Sequence, residues 1–199
     1  MNKKTYFYLA LVLGFQMLMT SCGYNDMVSK REGVDKAWAN VQSAYQRRMD
    51  LIPNLVSTVK GEAKFEQETL TQVVEARASA TQMSIDPSKS TPEQMMKWQE
   101  AQGQLGAALG RLISISENYP TLQANQSFRE LQAQLEGTEN RINTERGRYN
   151  EAVADYNVMI KSIPQNIYAG WFGFTARQGF EADKAAANAP KVDFGTEKK

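Results

Sequence analysis

The residues able to do chemistry are few in type. Histidine is absent from the 199 residues and cysteine occurs once, at Cys22. The commonest base near neutral pH, the commonest metal ligand and any disulfide framework are therefore missing. What remains for a site is arginine, asparagine, tyrosine and carboxylate. Arg47, Arg48 and Asp50 precede Pro53, and Glu139, Asn140 and Arg141 stand in a row. Tyr149 and Asn150 are repeated seven residues on as Tyr156 and Asn157, a spacing that returns to the same helix face. One reading is a polar groove for a small anionic or amide ligand, with Arg48 as charge partner and the asparagines as orienting donors. The other is a buried polar network that fixes helix register. The second is favoured, because bundles of repetitive helices face the register problem generally.

Other constellations fall away. Pairs such as Glu66 with Glu68, or Glu136 with Glu139, read as solvated helix faces. Without histidine no Glu-x-x-His motif exists, which excludes the usual di-iron bundle site. No Gly-x-Ser-x-Gly elbow, phosphate loop or dinucleotide fingerprint occurs. No enzyme activity, no metal and no cofactor are expected. Lys plus Arg number 23 against 22 Asp plus Glu, a net charge of +1. That balance supplies no chain-wide field for nucleic acid, so none is expected as a partner.

The elements that must position these residues are helical. Trp38, Val41, Tyr45, Ile52, Leu55, Val59 and Val73 recur at helical spacing between about Met27 and Thr81, with Arg48, Glu62, Glu66 and Thr69 in the skipped turns. Pro53 predicts a kink or break within that stripe, or two helices in succession. Ser84 to Thr91 reads as a loop. Thr91, Pro92 and Gln94 then form a capping box that opens a helix through Trp98, Gln102, Leu105, Leu109, Leu112 and Ser116. A further stripe runs from Phe128 through Leu131, Leu135, Thr138, Ile142, Glu145, Tyr149, Ala152, Tyr156 and Met159 to Ile163. It predicts one helix from Thr121 to Ile163, on the order of 65 Å long at 1.5 Å per residue. Pro164 stops it. Residues 164–199 read as an aromatic loop and a short helix near Phe180 to Asn188. The fold expected is all-α, an elongated up-and-down antiparallel bundle of about four helices.

The address lies at the N-terminus. Lys3 and Lys4 precede an apolar run from Tyr6 to Met19, and Thr20 and Ser21 lead to Cys22. About 14 apolar residues are short for a bilayer span, which takes roughly 20. Residues 1–21 therefore read as a lipoprotein signal peptide and Cys22 as the lipidated first residue of a domain over 22–199, with a single-pass N-terminal anchor as the alternative. Removing Lys3 and Lys4 with the leader leaves a net charge of −1.

The blocks WANVQSAYQRRMDLIPNLVSTVKGEAKFE (38–66), ENYPTLQANQSFRELQAQLEGTENRI (117–142), RYNEAVADYN (148–157) and the terminal PKVDF carry a resemblance. With them the chain resembles the LemA family of bacterial envelope proteins. The resemblance implies a membrane-anchored helical bundle without established enzymatic activity. The anchor departs from the pattern, because relatives often keep a transmembrane helix whereas Cys22 points to lipid.

The function expected is an envelope lipoprotein scaffold or adaptor, attached to the membrane through lipid and working through a protein partner or self-association. The alternative is a small-ligand sensor regulating a neighbouring envelope enzyme through the polar groove. Tyr168, Trp171, Phe172 and Phe174 cluster after Pro164. Phe172 and Phe174 are expected in the core, Trp171 partly exposed, and Tyr168 with Trp171 as a candidate interface.

Overall fold

The computed structural model describes residues 3–62 and 65–181, and within residues 3–22 only the Tyr8 side chain. The side chain of Cys22, the expected helix beyond Glu181 and the PKVDF block lie outside the described residues. Among the described residues the chain is all helix and loop, with no strand. The helices are α1 (Lys3–Lys60), α2 (Gln67–Gln82), α3 (Pro92–Ser116), α4 (Pro120–Ala124), α5 (Gln126–Lys161) and α6 (Gln165–Tyr168).

Contacts fix the directions. Trp38 of α1 meets Trp98 near the start of α3, and Arg48, further along α1, reaches Gln102, one turn further along α3, so α1 and α3 run together. Helix α2 returns beside α1, bringing Arg77 and Thr81 back to Met49. Helix α5 runs against α1, with Glu139 beside Arg48 and Asp155 beside Lys30. The result is an up-down-up-down bundle in which α1 and α5 form the longest pairing.

Pro53 does not break α1, which continues to Lys60. Proline at position 53 donates nothing to the carbonyl four residues earlier, that of Met49. Arg77 of α2 supplies the missing bond, its Nε donating to Met49 O at 3.2 Å. The chain turns later, at Gly61, where Gly61 N and Glu62 N donate to Thr58 O and Val59 O. The helix expected from Thr121 also begins later. Asn125 is extended and its side chain accepts from Phe128 N, so it caps α5 and separates it from α4. Thirty-six residues make α5 about 54 Å long. Its stripe is inward as far as Met159. Ile163, beyond the helix end, is 82 % exposed, and Ile160 takes the inward place. The Thr91–Gln94 capping box of α3 is present with both of its bonds.

The core has two parts. One, around Ile52, Leu55, Val59, Val73, Leu105, Leu112, Phe128 and Leu135, is enclosed by α1, α2, α3 and α5. The other runs from Trp38 and Tyr149 down to Met27 and Ile160. Helix α3 joins it through Met95 and Trp98, no α2 side chain is among its buried members, and its Met27 end is built on α1 and α5. Residues 168–181 cover the α1–α5 pair there, with Tyr168, Ala169, Phe174 and Phe180 buried. Phe180 is therefore part of an extended strap and does not start a helix.

Candidate functional site

Arg48 sits where the two apolar clusters meet. On each of three helices a polar residue separates a lower-cluster side chain from an upper one: Arg48 lies between Tyr45 and Met49, Gln102 between Trp98 and Leu105, and Glu139 between Leu135 and Ile142. The Arg48 guanidinium, 3 % exposed, donates to Glu139 Oε2 at 2.9 Å, Gln102 Oε1 at 2.7 Å and Gln102 O at 3.1 Å. It also lies 5.0 Å from the Tyr45 ring centroid, and its Nε has no partner. Gly106 of α3 faces it, with 3.8 Å between Arg48 Nη1 and the place a Cβ would occupy. A fork of donors shared between two helices ties three registers at one level, and Glu139, half exposed, keeps one end of the layer wet.

The repeated Tyr-Asn pairs form a second group, separate from the first. Asn150 lies eleven residues beyond Glu139, about 16 Å along α5. Asn157 Nδ2 donates to Arg177 O and its Oδ1 accepts from Arg177 N, both at 2.9 Å. Asn150 repeats this with Phe180, donating to its O at 3.2 Å and accepting from its N at 2.7 Å. Tyr149 donates to Gln178 O at 2.8 Å. The heptad spacing thus clasps the main chain of the strap as a neighbouring strand would. Gly179 is held close: a Cβ there would lie 3.0 Å from Asn150 Oδ1. Phe180 then enters the cluster of Trp38, Trp98 and Tyr149, at 5.9, 6.1 and 5.4 Å between ring centroids, with the Arg146 guanidinium 4.7 Å from the Phe180 centroid. Burial pushes the Tyr149 phenol up to about 12 and raises those of Tyr45 and Tyr156.

The structure therefore does not bring Arg48, Asn150 and Asn157 into one groove. Arg47 is exposed and donates to Gln134, and Asn140 and Arg141 are exposed. Sequence reasoning passed over Gln102, Arg177 and Phe180. Only Gln102 left a signal, as a polar residue inside an apolar stripe. A cleft of about 230 Å³ opens beside the Arg48 layer, lined by Trp38, Gln42, Tyr45, Arg77, Trp98 and Gln102 among others. Among the described residues no group of three or more His, Cys, Asp or Glu could hold a metal ion.

The aromatic segment lies at the end of the bundle where α1 enters it. Tyr168, expected at an interface with Trp171, is buried, and its hydroxyl occupies the place of a Cβ on Gly23. Phe174 is buried as expected and makes edge contact with Tyr24. Phe172, expected in the core, is 56 % exposed. The reason is a tight turn: Trp171 N and Phe172 N donate to Tyr168 O, Gly173 takes φ +74°, and Phe174 N closes on Ala169 O. This leaves Trp171 and Phe172 at the tip, Trp171 with 83 % of its surface open. Among the described residues no helix is long and apolar enough to cross a membrane.

Comparison with known proteins now places the chain. The magnetosome protein MamQ 2 of Paramagnetospirillum magneticum is 30 % identical over 186 residues, covering 85 % of this chain and 68 % of that protein. MamQ of Magnetospirillum gryphiswaldense is 29 % identical over the same shares. Protein LemA of Metamycoplasma hominis is 22 % identical over 77 % of this chain and 64 % of its own length. The LemA family model matches residues 37–194, a span that takes in the Arg48 layer, the Tyr-Asn clasp and the strap: the chain belongs to the LemA family.

Proposed function

We propose that this protein is a non-enzymatic interaction scaffold of the bacterial cell envelope, held at the membrane surface by acyl chains on Cys22. The observation that carries the reading is the occupation of its polar residues by the chain itself. Asn150 and Asn157 spend both ends of their amides on the strap, and Arg48 spends its fork on Gln102 and Glu139. Groups committed in this way give the bundle one register and one shape, and they are not free to bind or turn over a substrate. The names of two relatives place them with magnetosomes, a cell structure rather than a reaction, which supports a structural role.

In-cell cross-linking of the full chain in its membrane tests this. The expected result is discrete cross-linked species that disappear when Cys22→Ser keeps the chain from its anchor. Uncross-linked monomer from both forms contradicts the reading. The sensor reading keeps one observation, the cleft beside Trp38, Tyr45 and Trp98, where indole and phenol rings border Gln42, Gln102 and Arg77. It requires a small molecule that protects the tryptophan emission of this cleft at saturable concentration.

A further inference from the structure

Among the described residues, the end of the bundle that receives α1 carries a gathering of exposed apolar side chains. Tyr24, Ile163, Ile167, Trp171 and Phe172 are all exposed there, and other exposed large apolar side chains, Val74, Met83, Met96 and Val158 among them, belong to α2, the loop after it, α3 and α5. The gathering is built, not frayed. Tyr24 meets Phe172 and Phe174 at 5.1 and 5.6 Å between centroids, Tyr168 meets Phe172 at 6.2 Å, and Arg31 lies over Phe174 at 5.1 Å. A buried base of Tyr168 and Phe174 thus presents Trp171 and Phe172 at the tip.

The occupant follows from the height of this tip along α1. The apolar run of the sequence ends at Met19, and Gly23, which packs against Tyr168, is four residues further, about 6 Å along the helix. If Cys22 carries the acyl chains, the lipid begins one residue before Gly23; if the run stays in the bilayer, the lipid ends within the same few ångströms. Both anchors bring the headgroup layer to the level of the tip. Tryptophan and tyrosine prefer that layer, where the ring is apolar and the polar edge stays wet, and Ile163 and Ile167 add apolar surface beside them.

We propose that Tyr24, Ile163, Ile167, Trp171 and Phe172 seat in the headgroup layer of the anchoring bilayer. They form a second contact that sets the bundle upright on its anchor instead of letting it swing. This rests on the anchored reading above. The acyl chains hold the protein at the surface, and the aromatic tip holds its orientation.

The test uses the full anchored chain in vesicles of phosphatidylethanolamine and phosphatidylglycerol, with a matched set whose acyl chains are brominated. Trp171 is one of 3 tryptophans. Trp38 is buried and lies about 22 Å further along α1 than Gly23, with Trp98 against it. Brominated lipid is expected to quench up to about one third of the emission, and W171F, which removes an exposed indole only, is expected to abolish the difference. A chain that floats with the vesicles but is quenched equally in wild type and W171F, or not at all, overturns the seating and leaves the anchor standing. A chain that does not float overturns both. Concentration-dependent shielding of Trp171 from iodide without quenching by brominated lipid assigns the tip to a second copy, and this too overturns the proposal.

Discussion

Removing one asparagine of the clasp should release the strap as a unit while the bundle stays folded. Asn157 and Asn150 each make two hydrogen bonds to strap main chain. At about 1 kcal/mol net per bond, Asn157→Ala or Asn150→Ala should weaken strap closure by about 2 kcal/mol. That is about 30-fold in the opening equilibrium, since 1.4 kcal/mol corresponds to tenfold. Amide hydrogen exchange reads this directly, with one precaution: the amide that loses its own acceptor reports trivially. The informative probes are the crossed ones, the Phe180 amide in Asn157→Ala and the Arg177 amide in Asn150→Ala. Each should exchange about 30-fold faster, while amides of α3 and the middle of α5 keep their wild-type protection. Unchanged crossed probes would show that the two rungs act independently. Acceleration throughout the bundle would show that the strap is inseparable from the core. Either result refutes the clasp as described.

Other expectations follow from the same contacts. Gly179→Ala should speed Phe180 exchange without touching α5, because its Cβ would press on Asn150 Oδ1 at 3.0 Å; unchanged exchange would mean that the amide yields at no cost. Arg77→Ala should cost about 1–3 kcal/mol by orphaning Met49 O, and much less in a Pro53→Ala background where residue 53 regains its donor. Additive urea midpoints would contradict that compensation. Leu135→Ala and Ile142→Ala should each cost about 2–5 kcal/mol while exposed Gln134→Ala costs little, and equal midpoints would misplace the stripe. Tyr149 has a folded pKa of about 12 against an ordinary 10.0. Its contribution is therefore complete below pH 10 and lost as pH rises from 10 to 12, because the unfolded phenol gives up its proton first. Tyr149→Phe should flatten the stability profile in that window, and an unchanged slope would contradict the assignment. Finally, Cys22→Ser should abolish metabolic labelling with a fatty-acid analogue, and undiminished label would dismiss lipidation.

What the sequence revealed and what it hid divide by range. The stripes on α1, α3 and α5 were legible because helix burial repeats every three or four residues, and the capping box at Thr91 because both partners lie within one turn. The break that Pro53 allows does not occur, and the group that repairs its lost bond, Arg77, comes from another helix 28 residues away from Met49. Asn125 was passed over as a cap because the residues around it are themselves good helix formers. The Tyr-Asn repeat was visible as a pattern. Its partner was not, since it is main chain 20 to 30 residues later, and main chain leaves no signature in side-chain types. Arg48 stands out in the sequence as a charge within an apolar stripe, yet its surroundings of Gln102 and Glu139 depend on three helices meeting at one level. Phe172 was misplaced because the turn through Gly173 decides which ring faces out, and the four aromatic residues within 168–174 carry no periodicity to indicate it.

The central claim is that the bundle works by holding other molecules at the membrane and not by chemistry of its own. Affinity purification of the full chain from membranes, compared with its Cys22→Ser variant by quantitative mass spectrometry, tests it most directly. A protein recovered in near-stoichiometric amount, or a defined self-assembly, with the anchored chain and lost with the variant is the expected result. A chain that leaves the membrane as a bare monomer, free of stoichiometric partners in both forms, would contradict the claim.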